Sequence, residues 1–161
     1  MINIKQIKST VIEMVKELNR HKINYYITGG SVLYFRKIIT ETKDIDFIVY
    51  FKDFKKLKKI YDKQICLSKK GKNYLNLKRN NLDIEFIGVD NSFDKQAYVL
   101  LKNKDYGDTI LGNTNVNIST LENLLTCYDF AYKLYNKDKY LERIKLIKGH
   151  LINKKATRKH L

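Results

Sequence analysis

Two stretches decide how this chain is read: Asn24-Tyr25-Tyr26-Ile27-Thr28-Gly29-Gly30-Ser31 and, after residues 32–43, Asp44-Ile45-Asp46-Phe47-Ile48-Val49-Tyr50-Phe51. The first is a short strand that runs into two glycines and a serine, after which Val32, Leu33, Phe35 and Ile38 mark a helix. The second is rich in β-branched and aromatic residues and opens with strict alternation, the pattern of a half-buried strand. Residues two apart in a strand leave the same face, so Asp44 and Asp46 stand side by side while Ile45 and Phe47 point into the core. Paired carboxylates repel unless a cation lies between them. Hard oxygen donors on a rigid strand suit Mg²⁺, which takes one or two carboxylates plus substrate phosphates. The glycine turn complements this, because bare backbone at a strand-to-helix junction can approach phosphate oxygens closely and Ser31 adds a hydroxyl.

Leu82-Asp83-Ile84-Glu85-Phe86 repeats the alternation. If this strand neighbours the first, a third carboxylate completes a site able to clamp the attacking and leaving oxygens of a phosphoryl transfer. The remaining elements follow from periodicity, since the chain has no proline and seven glycines. Ile4, Ile7, Val11, Val15 and Leu18 predict an amphipathic helix over 3–20 with Asn3 as cap. Asp53 is expected to cap a lysine-rich helix reaching 63, with Phe54, Leu57, Ile60 and Tyr61 inward. Strands are predicted at 65–68, 74–78 and 82–89, a helix at 93–102, and a hairpin about Gly112-Asn113. Ser119-Thr120-Leu121-Glu122 has the form of a capping box. The helix it opens shares Leu121, Leu124, Leu125, Tyr128 and Ala131 on one face, and a last helix over 138–151 buries Leu141, Ile144, Ile147 and Leu151. The sum is an α/β (α+β) architecture, a mixed sheet flanked by helices, in one domain of 161 residues. Its core spans 24–118, a C-terminal helical part 119–152, and a basic tail 153–161.

Hydrophobic residues make up 43% of the chain and charged residues 30%, enough for a core and too apolar for disorder. No apolar run approaches the roughly 20 residues of a membrane span. The opening Met-Ile-Asn-Ile-Lys shows no leader pattern, and Cys66 and Cys127 lie in no ligand-like spacing, so a cytoplasmic protein without a disulfide framework or zinc is expected. Lys plus Arg number 32 against 17 Asp plus Glu, a net +15, and 27 of the 32 are lysines. Residues 52–79 carry +9 and 133–161 carry +8, while 80–132 carry −5, which points to a polyanionic partner for the basic stretches. The single histidines His21, His150 and His160 read as surface or structural residues, both cysteines as small apolar fillers, and Tyr25, Tyr26, Tyr50, Tyr128 and Tyr135 as core.

Taken together, the hydrophobic strand, Gly29-Gly30-Ser31, and Asp44-Ile45-Asp46-Phe47 resemble the nucleotidyltransferase signature of the DNA polymerase beta superfamily, and the Asp83 strand matches as well. Within it, Gly29-Gly30-Ser31-Val32-Leu33 and Thr42-Lys43-Asp44-Ile45-Asp46 are most similar to the small nucleotidyltransferase-fold proteins of bacteria and archaea, including toxin–antitoxin and abortive-infection members. The likeness covers roughly residues 24–150. It implies two Mg²⁺ ions, with Mn²⁺ as a substitute, and transfer of a nucleoside monophosphate from a nucleoside triphosphate such as ATP. Carried over, Asp44 and Asp46 would bind both metals and Asp83 the one that activates the acceptor hydroxyl. Gly29, Gly30, Ser31 and Lys43 would hold the triphosphate.

Two departures stand out. Relatives often carry an arginine shortly before the Asp-x-Asp pair, where this chain has Thr40-Glu41-Thr42, leaving Arg36 or Lys43 as substitutes. Glu85 is an extra carboxylate able to compete with Asp83 for the third role. The implied partners are an RNA end, tRNA included, or a protein hydroxyl as acceptor. The alternative reading is an antitoxin or regulatory module of the same fold with little catalysis.

Overall fold

The structure, a computed structural model, describes residues 4–66 and 70–158. The proposed cap Asn3, residues 67–68 of the predicted third strand, and His160 lie outside them. The elements are α1 (Ile4–Arg20), β1 (Tyr25–Thr28), α2 (Gly30–Phe35), β2 (Asp44–Tyr50), α3 (Phe54–Tyr61), β3 (Ile65–Cys66), β4 (Tyr74–Arg79), β5 (Leu82–Val89), α4 (Lys95–Asn103), β6 (Gly107–Leu111), β7 (Thr114–Ile118), α5 (Leu121–Tyr135) and α6 (Asp138–Arg158). The strands form one seven-stranded sheet in the order β3-β4-β5-β2-β1-β7-β6. β2 pairs in parallel with β5, and β1 in parallel with β7; the remaining neighbours are antiparallel.

Alternation along the central strands makes two cores. Ile45, Phe47 and Val49 of β2 and Ile84 and Phe86 of β5 join Ile7, Val11, Met14, Val15 and Leu18 of α1, with Leu57 and Tyr61 of α3, in one large apolar cluster. The α1 residues recur at helical spacing, so one stripe of that helix is wholly buried. Arg79 of β4 donates to Glu17 at 3.1 Å and forms an ion pair with Glu13 at 3.2 Å, fixing α1 to that side of the sheet. A smaller cluster, Tyr26, Ile48 and Val89 with Ala97, Leu100 and Leu101 of α4, lies on the other face. Asp44 and Asp46 are in phase with Ile48, so they belong to the α4 face at the end of the strand opposite α4's own packing.

Gly88 in β5 exists for packing. A Cβ there would come within 2.8 Å of the Phe54 ring.

Several expectations need correction. Asp53 does stand at the N-cap of α3, but it also ends a 3₁₀ turn and its side chain makes no cap bond; it is buried and ion-paired with Lys56 at 3.4 Å. The cap of α5 is Thr120, whose hydroxyl accepts from the Asn123 N–H at 3.1 Å, one residue later than the box pattern. α6 does not stop at 151 but continues to Arg158, so most of the expected tail is helix. After Gly149 no glycine or proline interrupts it, and Lys, Ala and Arg are good helix formers. Tyr135 is 57% exposed, not core, because it lies at the very end of α5.

Candidate active site

The glycine turn and the acidic strand meet directly. Thr28 pairs with Asp46 across β1 and β2, so the residue after Thr28 lies beside the Asp46 side chain. Gly29 has φ +73° and ψ −153°, a conformation essentially closed to side-chain-bearing residues. A Cβ at that position would collide with Oδ2 of Asp46. The glycine is therefore required twice over. Ser31 is buried and its hydroxyl donates to the Thr28 carbonyl at 2.9 Å, closing the turn on itself.

The parallel register of β2 and β5 sets Asp44 opposite Asp83 and Asp46 opposite Glu85. All four carboxylates that the sequence singled out thus stand on two adjacent strands. Their surroundings differ. Glu85 is buried and accepts from Lys70 at 2.7 Å, whereas Asp83 is exposed, with Lys78 of β4 at 4.0 Å. Burial, and then the negative charges of Asp44 and Glu85, push the Asp46 carboxyl up to about 7, while Lys70 and Lys139 pull it down. Negative charge is in local excess here, which is the electrostatic condition a hard divalent cation relieves. Among the described residues, however, no three His, Cys, Asp or Glu side chains are gathered closely enough to hold a metal ion. The donor set is chemically suited, and its side chains remain spread.

Two hollows open on these carboxylates. One, of about 290 Å³, is lined by Asp44, Asp46, Asp83 and Glu85 with Lys70, Asn76 and Lys78. The other, of about 320 Å³, lies against Gly29 and Gly30 and shares Asp44, Asp46, Lys70 and Glu85 with the first. Its far wall is the C-terminal hairpin: Tyr128 from α5 and Lys139, Tyr140 and Arg143 from α6. The Tyr128 hydroxyl is pushed up to about 12 by burial, opposed by Arg143 and reinforced by Asp46 and Asp44.

Sequence reasoning missed Lys70, Tyr128, Lys139, Tyr140 and Arg143. Only the +8 charge of residues 133–161 hinted at the last group. Of the residues that were expected, Lys43 is exposed and lines neither hollow, while the Arg36 guanidinium lies toward Gly107 at the start of β6. The Cys127 thiol is pushed up to about 11 by burial, as an unreactive filler should be.

No family model matches the sequence, and no curated protein matches it. Solved structures do match. An antigenic nucleotidyltransferase-like protein from Paracoccidioides brasiliensis superposes with TM-score 0.63 at 15% identity, over 91% of this chain and 77% of that one. The lincosamide antibiotic adenylyltransferase LnuA, solved with lincomycin bound, gives 0.59 at 12% identity, over 91% and 97%. The antibiotic-resistance factor ANT(2″)-Ia gives 0.60 at 10% identity, over 99% and 97%. The mixed sheet and its flanking helices are those of a nucleotidyltransferase-like fold. Among the described residues no helix is long and apolar enough to cross a membrane.

Proposed function

We propose that this chain is a nucleotidyltransferase: an acceptor hydroxyl gives up its proton and bonds to the α-phosphorus of a nucleoside triphosphate, the bond to the β-phosphate breaks, and pyrophosphate leaves, with Asp44, Asp46 and Asp83 holding divalent cation. The observation that carries this reading is the register: Asp44 against Asp83 and Asp46 against Glu85, beside a glycine turn that cannot bear a side chain. A bound Mg²⁺ would offset the charge of the reacting phosphate and lower the pKa of the acceptor hydroxyl. Gly29 and Gly30 offer backbone without side chains to the triphosphate, Ser31 holds their turn, and Lys43, exposed next to Asp44 in the chain, adds positive charge. Asp83 lines one hollow and is exposed, so the cation it would hold is open to an acceptor.

An RNA end, tRNA included, is the acceptor we favour, with a protein hydroxyl next. Lys55, Lys56, Lys58 and Lys59 are all exposed on α3, and Lys55 and Lys58 border a hollow of about 600 Å³ with Phe51, Phe54 and Tyr74, a basic surface with aromatic faces. The defence or toxin–antitoxin setting rests on the likeness of the glycine turn and Asp-x-Asp stretch, and arrest of growth on expression is its simplest readout.

The test is incubation with each α-labelled nucleoside triphosphate and Mg²⁺, offering total RNA, protein and small hydroxylated compounds as separate acceptor pools. Label should move to RNA or protein. Asp44→Asn and Asp46→Asn should each cost at least about a hundredfold, the scale of losing one electrostatic contact to a reacting centre. Activity of a tenth of wild type or more in both variants would end the reading.

A further inference from the structure

The cation expected before the acidic strand is missing, since residues 40–42 are Thr-Glu-Thr. Neither sequence-based substitute takes its place: Lys43 lines neither hollow, and Arg36 lies toward Gly107, its Nη2 3.5 Å from where a Cβ on that glycine would stand. Arg143 of α6 is the cation that lies at the glycine turn. Both of its terminal nitrogens lie 3.7 Å from where a Cβ on Gly30 would stand, so the guanidinium lies directly over the bare backbone of the turn. Its Nη1 is buried and has no hydrogen-bond partner. A guanidinium stays charged and offers a planar fork of donors, so a buried, unpartnered nitrogen on a side chain that lines a cavity calls for an oxyanion. Lys139, one turn earlier on the same helix, lines the same cavity. Its ammonium rests 4.9 Å from the Tyr140 ring centre and makes no ion pair among the described residues. Asp44, Asp46 and Glu85 line the same cavity without forming an ion pair with either cation among the described residues; Lys139 acts on Asp46 only at longer range, and Glu85 is already engaged by Lys70.

We infer that Arg143 and Lys139 form the triphosphate-binding arm of this site, supplied from the C-terminal helix and closing over Gly30 from the side opposite the acidic strands. This rests on the nucleotidyltransferase reading and adds where the phosphate charge is met. Arg143 can grip two oxygens of one phosphoryl group, while Lys139 acts as a point charge nearer the mouth.

Binding of inorganic tripolyphosphate, and of each nucleoside triphosphate and monophosphate, measured by calorimetry with Mg²⁺ on the full chain, tests it. Arg143→Gln should weaken tripolyphosphate and nucleoside triphosphate at least about tenfold while changing monophosphate binding much less, and Lys139→Gln about threefold. Arg143→Lys should recover part of the loss, keeping charge without the fork. Lys148→Gln, an exposed lysine further along α6, removes the same charge and should change nothing. If Arg143→Gln does not fold, Arg143→Lys and Lys139→Gln still decide the matter. Wild-type protein that binds no triphosphate overturns the functional reading itself. Wild-type binding with undiminished affinity in the Arg143 and Lys139 variants overturns only the assignment of the arm.

Discussion

The two ends of one strand pair behave as opposites. At their last residues β2 and β5 set Ile48 against Ile87 and Tyr50 against Val89, covered by α4, and Gly88 admits the rings of Phe51 and Phe54. At their first residues the same ladder sets Asp44 against Asp83 and Asp46 against Glu85, with two hollows above. Hydrogen bonding is continuous along the pair, so the apolar end fixes the register in which the acidic end is held. A slip of one residue would send every side chain to the other face, and the buried residues forbid it. Carboxylates that repel one another are thus held together by burial a few residues away.

The apolar end can be broken first. Phe86 is fully buried and lies against Phe47 at 5.2 Å and Tyr61 at 5.7 Å between ring centres. Phe86→Ala should cost about 3–4 kcal/mol in denaturant unfolding. Loss of less than about 1 kcal/mol would mean that the pair is held by something other than this core.

At the acidic end, the third carboxylate can be assigned by kinetics. Asp83→Asn should lower the transfer rate roughly a hundredfold and Glu85→Gln much less, because Glu85 is already tied to Lys70. The reverse ranking would move the role to Glu85, which is the buried partner of Asp46.

The seam between turn and strand is sharpened by Gly29→Ala. With φ at +73° and Asp46 in the way, we expect a loss of about 2 kcal/mol together with most of the transferase activity. Ala tolerated with full activity would show that the turn relaxes without moving Asp46.

The smallest effect is on pH dependence. The Asp46 carboxyl sits at about 7 in the fold against roughly 3.9 when unfolded, so its neutral form is favoured by folding. That contribution is complete below about pH 4 and is lost as pH rises through about 7. With Asp46 only partly buried and Lys70 and Lys139 opposing the shift, it should amount to about 1–2 kcal/mol between pH 5 and 8 in metal-free protein. Asp46→Asn should flatten the profile, and Mg²⁺ should offset it in the wild type at pH 8. Equal pH profiles for wild type and variant would contradict the crowding of charge described above.

How much of this could be read from the sequence follows from the range of the interactions. β2 and β5 were legible because alternation with buried Ile45, Phe47, Ile84 and Phe86 is a local signal, and Gly29 because a strand ending in two glycines announces an unusual turn. That the two acidic strands are neighbours had to be assumed, and the observed pairing bears it out. Ser119 and Thr120 are equally good caps by residue type, and only the backbone geometry separates them. Arg143 and Lys139 were invisible as site residues. In sequence they are two cations on a basic helix more than a hundred residues from the glycine turn, and only the docking of the α5–α6 hairpin brings them to Gly30.

The parallel alignment of β2 with β5 also dictates when the site can exist. Parallel strands cannot be joined by a tight turn, and here residues 51–81 intervene, carrying α3, β3 and β4. Loop closure over such a span precedes any reward from the contacts it makes, so we expect this pairing to form later than the local hairpins. On the ribosome, the glycine turn and Asp44-Ile-Asp46 emerge long before their partner strand. A nascent or partly unfolded chain can therefore own every residue of the turn and the Asp-x-Asp strand and still lack the cleft, so the transfer proposed above would report on the completed central sheet.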